Sequence, residues 1–497
     1  MAPLRRFAVT ILALLGCVLA YEISISEKDA LSEVCSGMWA DERTYINVTF
    51  SEKSVGRIAM IIYEFSDIRF LGKVTGENTE WAQPTYVCTS NALQAHLCDV
   101  SQLGKFIINL PSNRTINDTS IWTESVGFKW NISGVESAFW NPPGGIPSPP
   151  PSPENSTVNW KRDDNYRPTA PSYIYNGAPI HYKVSKKGYY CIGAVPVTLV
   201  EYGNSSSPVH AAFDGTVYFR NTFNGHLSAA DHPKITFYWL LTIAYLFIGG
   251  TWGFLCYKHR EDIIPIQFYV SALVFLLVTE MLANWGYYRY LNAHGRGITT
   301  VAFLIVTAIL DAGRNALSFF LLLVVALGWS VVREELHVMT RCKALAIAHF
   351  AFGVMYAVAI VEVELETASL GLLFLFIMPL AFTLSTFLLW IMYGLQATIQ
   401  ELRARKQTYK LSMFKKLHYI LIMAVVIVAG FFVVTTVTFS SRYEEDFASR
   451  TWSYRWWLMD GYLSILYLLV FSSTAYIWRP TGNNRRYVPM SLLPNFY

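Results

Sequence analysis

Four polar residues of the sequence lie inside stretches that are otherwise apolar. Asp311, Arg314 and Asn315 fall within VTAILDAGRNALSFF, and Glu280 falls within LLVTEMLANWG. Ionisable side chains are costly at bilayer depth, and where they occur they mark ion or substrate pathways or pair with one another. Asp311 and Arg314 are three residues apart, so a helix places them on one face, where carboxylate and guanidinium can pair.

This cluster has two interpretations that the sequence leaves open. In the first, Asp311 and Arg314 form an internal pair that fixes helix register, with Glu280 hydrogen-bonded to a neighbour. In the second, these residues, Asn315 and Asp460 line a polar cavity that accepts a lipid or a cargo segment, or that attracts cations whose passage the pair gates. His349 is a further ionisable residue in an apolar stretch.

The elements that carry these residues are apolar segments long enough to span a membrane. The chain of 497 residues is 53% hydrophobic and 15% charged, and its apolar residues are unevenly distributed, which is typical of a membrane protein. The net charge of +4 gives no basic face for nucleic acid. Periodicity predicts seven helices at about 235–257, 264–287, 298–330, 344–361, 370–395, 417–439 and 456–478.

The N-terminal half has the features of a secreted domain. MAPLRRFAVTILALLGCVLA predicts a signal peptide at residues 1–20, because its apolar core of about 13 residues is too short to span a bilayer. All six N-x-S/T sequons precede the first predicted span, which indicates a lumenal, glycosylated domain at 21–232. The sequons are at Asn47, Asn113, Asn117, Asn131, Asn155 and Asn204.

Four cysteines of this half, Cys35, Cys88, Cys98 and Cys191, are expected to form disulfides in an oxidising lumen. Four cysteines allow three pairings, among which the sequence does not choose; Cys88 with Cys98 and Cys35 with Cys191 is the nested one. No spacing of Cys or His suggests a metal site, and no cofactor is expected.

The lumenal half is predicted to be a small β-sandwich. The β-type runs are YINVTF (45–50), RIAMIIYEF (57–65), KFIINL (105–110) and IHYKVSKKGYYCIGAVPV (180–197). The stretch at 141–171 is dense in Pro, Ser and Gly and is predicted to be a disordered loop.

The distribution of positive charge predicts the orientation of the seven spans. With a lumenal N-terminus, fourteen Lys and Arg fall on the cytosolic side and five on the lumenal side, in agreement with the positive-inside rule. The bundle is then 235–478 and the cytosolic tail 479–497. The basic stretch at 396–416 is interpreted first as an orientation signal and second as a contact for anionic lipid.

Four segments resemble those of the lung seven-transmembrane receptor family, also called the GOLD-domain seven-transmembrane proteins, with fungal members most similar. They are FDGTVYFRNTFNGHLSAADHPKITFYWLLTIAYLFIGGTWGF (213–254), KKGYYCIGAVPV (186–197), LLLVVALGWSVVREEL (321–336) and YIWRPTGNNRRYVPMSLLP (476–494). Ser228 departs from the pattern, since proline is expected at this joint. The resemblance implies a GOLD-like all-β sandwich above a Wntless-like seven-helix bundle, resident in Golgi and endosomal membranes.

The function that follows is membrane traffic, with lumenal cargo or partner proteins bound by the sandwich. Tyr487 and Met490 in the tail match the tyrosine-x-x-hydrophobic pattern that vesicle-coat adaptors bind. The alternative is a cation channel or transporter that uses the polar cavity. A weaker alternative is a G-protein-coupled-like receptor, because Val332-Arg333-Glu334-Glu335 replaces Asp-Arg-Tyr at the end of the third span. No catalytic constellation suggests an enzyme.

Overall fold

The computed structural model describes residues 21–27, 33–74, 84–128 (without 90, 91, 94, 100 and 101), 173–197, 211–295, 297–333, 335–362, 370–440 and 447–481. The chain divides into two compact units. The sandwich unit is Met1–Ala229 with Glu444–Ser453, and the bundle unit is Ala230–Tyr443 with Tyr454–Tyr497. The predicted signal peptide, the loop at 141–171 and the tail motif at Tyr487 and Met490 lie outside the described residues.

Two antiparallel-rich sheets form the sandwich unit, with strand orders β1-β11-β3-β9 and β2-β10-β4-β7-β8. A third, two-stranded ribbon pairs β5 with β6. The strands are β1 (Tyr21–Ser26), β2 (Glu33–Met38), β3 (Tyr45–Phe50), β4 (Arg57–Glu64), β5 (Lys73–Val74), β6 (Pro84–Thr85), β7 (Trp122–Phe128), β8 (Tyr173–Tyr175), β9 (Ile180–Lys183), β10 (Gly188–Val197) and β11 (Asp214–Arg220).

Strand β4 is buried on both faces, as its continuous apolar run predicts. Its side chains alternate between two cores: Ile58, Met60 and Ile62 pack between the two sheets. Ala59, Ile61 and Tyr63 face a second core on the other side of the sheet. The sheet of β4 is therefore covered on both faces.

The chain between β4 and β7 supplies this outer cover. A 3₁₀ helix at Phe65–Phe70 and the residues Phe106 and Ile121 pack on β4. The run KFIINL was predicted to be a strand, but Phe106 and Ile108 make only isolated bridges, to Val87 and Leu71. The prediction of a continuous strand was wrong. The run donates from the Ile107 N–H to the Tyr86 carbonyl and accepts from the Gly72 N–H, but this pairing stops at single bridges, and its side chains contribute to the outer cores.

Two disulfides connect this unit, and their pairing is the nested one. Cys35 on β2 is bonded to Cys191, its direct neighbour on β10. Cys88 is bonded to Cys98 within the outer cover, where a small core forms around the bond. The first bond ties strands that are 156 residues apart in sequence, and the second closes a separation of 10.

A short helix at Phe447–Thr451 also belongs to the sandwich unit, although it follows the sixth long helix in sequence. Trp452, 7% exposed, meets the ring of Trp39 edge-on at 5.2 Å between centroids. The ammonium of Lys187 lies 3.9 Å from the centre of the Trp39 ring. Gly37 has no side chain here, because a Cβ would collide with the Trp452 ring.

Seven long helices form the bundle unit. They are α1 (Pro233–Lys258), α2 (Pro265–His294), α3 (Ile298–Ala326), α4 (Met339–Glu362), α5 (Leu370–Ala404), α6 (Thr408–Ser440) and α7 (Tyr462–Ile477), the last preceded by a π-helical turn at Trp457–Gly461. We call the end at which α1 begins the near end, and the end at which α7 finishes the far end. Successive helices from α1 to α6 contact one another and are joined by connections of at most 12 residues, so they run in opposite directions. The connection from α6 to α7 is longer and contains the short helix at Phe447–Thr451.

Six of these helices are long and apolar enough to cross a membrane, on length and hydropathy alone. They are α1, α2, α3, α6, most of α5, and α7 with its π-helical turn. Helix α4, of 24 residues, is the remaining long helix of the described chain. Large apolar side chains such as Phe247, Phe275 and Phe432 are at least 70% exposed, which fits lipid-facing surfaces.

Helix bounds differ from the predicted ones mainly at the far end. Helix α5 continues to Ala404 and α6 begins at Thr408, so most of the basic stretch at 396–416 is helical. Helix α3 ends at Ala326, four residues before the predicted limit, where Gly328 with φ of +80° turns the chain. Hydropathy does not detect these polar helix ends, because they extend beyond the apolar core.

Candidate functional site

The guanidinium of Arg314 joins two carboxylates inside the bundle. One terminal nitrogen donates to Glu280 Oε1 at 2.8 Å, which connects α3 to α2. The other donates to Asp311 on α3 itself, one turn earlier. The sequence predicted the second pair from helical spacing, but not that Glu280 is the cross-helix partner.

Burial of the two carboxylates is unequal. The side chain of Glu280 is 2% exposed and that of Arg314 is 15% exposed, whereas that of Asp311 is 50% exposed. A buried ion needs its counter-ion far more than an exposed one does. The pair of Glu280 with Arg314 is therefore the interior tie, and Asp311 is the rim of the cluster.

Helix spacing places further polar groups around Arg314. Asn315 donates its amide to Asp311 Oδ2 at 3.2 Å. Ser318, one turn after Arg314, shares a hydrogen bond with the Tyr467 hydroxyl on α7. The Tyr467 ring also lies under the guanidinium, 5.0 Å from ring centre to Cζ. The cluster thus joins α2, α3 and α7.

Small residues bring α3 and α4 close together beside this cluster. A Cβ on Gly353 of α4 would lie 3.1 Å from the Cβ of Ala312 on α3. A Cβ on Gly313 would contact Leu276 of α2 and Phe350 of α4. Small side chains at such crossings allow tight helix packing in lipid, where no hydrophobic effect drives association.

The charges of the Arg314 cluster limit which groups it can bind. With two carboxylates and one guanidinium ionised, it carries one net negative charge. Glu280 Oε2 and Arg314 Nε are buried without a hydrogen-bond partner among the described residues. A buried acceptor and donor that lack partners favour the binding of one small polar group. A cation that crossed here would first have to displace the guanidinium.

Asp460 is placed in a separate cluster nearer the near end. Its carboxylate binds the ammonium of Lys234 at 2.6 Å, which Asp231 also contacts at 3.1 Å. The Tyr288 hydroxyl accepts from the same ammonium at 3.4 Å, and Tyr288 lies eight residues, or about 12 Å, along α2 from Glu280. Sequence reasoning missed Lys234, although a lysine in the first turn of an apolar helix is a visible signal.

His349 forms a third polar contact, between α4 and α5. Its Nδ1 lies 2.8 Å from the Thr383 hydroxyl, which donates to the Leu380 carbonyl at 2.9 Å. The rings of Phe319 and Phe387 enclose the imidazole, so this histidine is satisfied within the helix interface.

At the far end the turn after α3 is tied to α5 and α6. The Thr398 hydroxyl donates to the Ala326 carbonyl at 2.8 Å. The buried Lys410 ammonium donates to the Val331 carbonyl at 2.7 Å. Arg333 pairs with Glu401 at 2.9 Å. The segment that was compared with the Asp-Arg-Tyr motif is thus held by backbone caps and one ion pair.

The remaining predicted residues lie in the sandwich unit or beyond the described chain. Asn47 is on β3 and its Oδ1 lies 2.8 Å from His181 Nδ1 on β9. Asn113 and Asn117 are exposed, whereas Asn131, Asn155 and Asn204 lie outside the described residues.

One group of side chains in the described chain has the spacing of metal ligands: Glu33, Cys35 and Cys191. The two sulfurs are bonded to each other, which removes the thiolates that a metal would bind.

Two known protein-family models match this chain. Residues 233–485 match the family model described as GOST, seven transmembrane domain, and this range contains α1 to α7. The chain belongs to the GOST family. Residues 31–132 match the model described as PTM1-like, N-terminal domain. The predicted resemblance to the lung seven-transmembrane receptor family, in a fungal member, is confirmed.

Fungal relatives align with this GOST protein over nearly its whole length. Membrane protein PTM1 of Saccharomyces cerevisiae is 24% identical over 99% of this chain and 86% of its own. An uncharacterized protein of Schizosaccharomyces pombe is 25% identical over 93% of this chain and 80% of its own. Transmembrane protein 87B of Mus musculus is 30% identical over 54% of this chain and 47% of its own. The chain is a multi-pass membrane protein of this family.

Proposed function

We propose that this GOST protein acts without catalysis in membrane traffic of the Golgi and endosomes, binding cargo or partner proteins through its sandwich unit. The near end of the bundle faces the lumen and the far end the cytosol. This orientation is supported by the excess of Lys and Arg in the far-end turns and tail. The tail, with Tyr487 and Met490, contacts vesicle-coat adaptors.

The observation that carries this proposal is the outer cover of the sandwich between β4 and β7. It is fixed by its own disulfide, Cys88 to Cys98, and by its packing on β4. Its β5–β6 ribbon presents Val74, 51% exposed, opposite Pro84, and Tyr86, 38% exposed, follows β6 directly. Exposed apolar side chains beside a disulfide-linked core are suited to contact a partner.

The Arg314 cluster in the bundle has a structural role, in addition to the binding role of the sandwich unit. Arg314 is engaged by both carboxylates, so the cluster satisfies most of its own charge. A conduction path through it would require the guanidinium to leave Glu280. Conduction is the competing hypothesis, and the half-exposed Asp311 is the residue that would meet an incoming cation.

The test compares surface and secreted protein inventories of cells that lack the protein with cells that express wild type or a variant. We expect deletion to change specific proteins, and Val74→Asp/Tyr86→Asp to fail to restore them because charge on the ribbon blocks the contact. Ile174→Asp is the control, since Ile174 on β8 is 50% exposed and lies on another part of the unit. An unchanged inventory after deletion refutes the proposal.

Measurement of ion flux in liposomes distinguishes conduction from the proposed binding role. Purified wild type is compared with Glu280→Gln, which keeps the size of the side chain and removes the buried charge. Absence of flux in folded wild type supports the binding role. Flux that Glu280→Gln abolishes would favour conduction instead.

A further inference from the structure

The outer face of α6 changes in character along its length. Lys415 and Lys416 are exposed, Tyr419 one turn later is 65% exposed, and from Met423 to Val434 the exposed residues are apolar. Exposed apolar residues on a spanning helix contact lipid tails, and an exposed tyrosine at their edge marks the headgroup boundary. At 1.5 Å per residue, Lys415 lies about 6 Å beyond Tyr419. The two ammonium groups are therefore at the depth of the lipid phosphates.

The positive charge of Lys415 and Lys416 has no ion-pair partner among the described residues. No Asp or Glu occurs in residues 402–443 or 461–497. Glu401, the nearest carboxylate in sequence before α6, is already shared by Arg333 and Arg405. Within the described chain, no ion pair involves Lys415 or Lys416.

Two buried polar atoms, one at the end of α7 and one near the start of α6, have no hydrogen-bond partner in the described chain. Trp478, at the end of α7, is 2% exposed and packs edge-on against Phe414 of α6, with ring centres 5.6 Å apart. Its carbonyl accepts from Gln267 at 3.2 Å, which fixes the residue, but its Nε1 has no acceptor in the described chain. His418, one turn after Phe414, likewise has a buried Nδ1 that lacks a partner there.

Trp478 Nε1 and His418 Nδ1, buried and unpartnered among the described residues, favour a binding site here over basic residues that only set the orientation of the helix in the membrane. Positive-inside orientation requires only a sufficient number of Lys and Arg near the helix ends. It gives no reason to bury an indole N–H without an acceptor, which costs free energy in every copy of the protein. A phosphate or ester oxygen at headgroup depth is an acceptor for that N–H and a counter-ion for the lysines.

We propose that the start of α6 and the end of α7 bind the headgroup of an anionic phospholipid in the leaflet at the far end. Lys415 and Lys416 bind the phosphate, and Trp478 Nε1 donates to an oxygen of the same lipid. The site is separate from the Arg314 cluster and from the sandwich, so it does not depend on the proposed traffic role.

The test is native mass spectrometry of the full-length protein in detergent, titrated with dioleoyl phosphatidylserine or dioleoyl phosphatidylcholine. Glycerophosphoserine, which has the headgroup without acyl chains, distinguishes a lipid site from a site for free anions. We expect phosphatidylserine to bind more tightly than either of the other two. Equal binding of the two lipids, or tighter binding of glycerophosphoserine, would overturn the proposal.

Matched variants locate the site. Lys415→Gln/Lys416→Gln is expected to weaken phosphatidylserine binding by about thirtyfold, from about fivefold for each interfacial lysine. Lys258→Gln/Arg260→Gln removes the same charge from the α1–α2 turn, beside Glu261 and Asp262, and should leave affinity unchanged. Equal weakening by both double variants would show a general charge effect and would refute the site.

Trp478→Phe tests the indole donor, because it keeps an aromatic ring against Phe414. Affinity should fall about fivefold. Thermal stability in detergent without added lipid should be unchanged or higher, because an unpaired donor has been removed. Lower stability with unchanged affinity would assign the indole a purely structural role and would contradict its part in the site.

Discussion

The contribution of Arg314 to the stability of the bundle depends on its two carboxylate neighbours. It is held between a buried carboxylate on α2 and a half-exposed one on its own helix. Breaking a buried pair leaves one charge uncompensated, whereas removing both charges does not. The contribution of Arg314 is therefore best measured together with that of Glu280.

We expect Arg314→Met to destabilise the bundle by about 3–5 kcal/mol, because Glu280 then remains buried without the partner that compensates its charge. The double change Glu280→Met/Arg314→Met should cost less than Arg314→Met alone. Thermal unfolding can be followed through the thiol of Cys342, which is fully buried in α4 and reacts with a maleimide dye only after the helices separate.

Asp311→Asn provides the control for this comparison. Asp311 is on the rim, so its neutralisation should lower the unfolding midpoint much less than Arg314→Met does. Strictly additive effects of Glu280→Met and Arg314→Met would contradict the assigned pair.

At the scale of elements, the two disulfides differ in the length of chain that they restrain. In the chain-entropy account, a closed loop of 156 residues contributes roughly 5 kcal/mol and one of 10 residues roughly 3 kcal/mol. Cys35→Ala/Cys191→Ala should therefore lower the stability of the sandwich more than Cys88→Ala/Cys98→Ala. Hydrogen exchange of the β4 and β10 amides in the full-length protein measures both.

The region in which hydrogen exchange increases also distinguishes the two disulfides. Loss of the Cys88–Cys98 bond should increase exchange mainly in the outer cover, where the bond is surrounded by Ala92, Leu97 and Ile107. Increased exchange across β10 in that variant, with little change in the Cys35 and Cys191 variant, would reverse the expected order.

Elements with a regular pattern were predictable from the sequence. YINVTF is β3 without adjustment, and the continuous apolar run of RIAMIIYE is β4. KFIINL has the same local pattern, yet its pairing with the segments around Leu71 and Val87 stops at single bridges. The start of α6 was missed because the residues around Lys410 are polar and are held by contacts with Val331, which hydropathy does not contain.

The candidate site was predictable in part for the same reason. Spacing along α3 gave the pairing of Asp311 with Arg314. Partners from other helices, such as Tyr467 under Arg314 and Lys234 on Asp460, depend on how α1 and α7 are placed. One sequence without its fold does not specify those crossings.

At the scale of the whole molecule, the proposed orientation makes a direct prediction. Lys406 is exposed in the far-end turn before α6, and Ile298 at the near end of α3 is 93% exposed. In sealed microsomes, a membrane-impermeant maleimide should label Lys406→Cys without detergent and Ile298→Cys only after permeabilisation. Wild type gives the background from Cys256 and Cys342, and the opposite labelling pattern would invert the topology.

The sandwich joins the beginning of its own sequence to the end. Strand β1 pairs with β11. Cys35 cannot form its disulfide until Cys191, 156 residues later in the sequence, has been synthesised. At about 5–20 residues per second of synthesis, the ribosome needs roughly 8–30 s to supply the second cysteine after the first. During that interval β1, β2 and β3 lack their partners β9, β10 and β11, so this domain requires protection of its nascent chain and a late oxidation step before it can leave its site of synthesis.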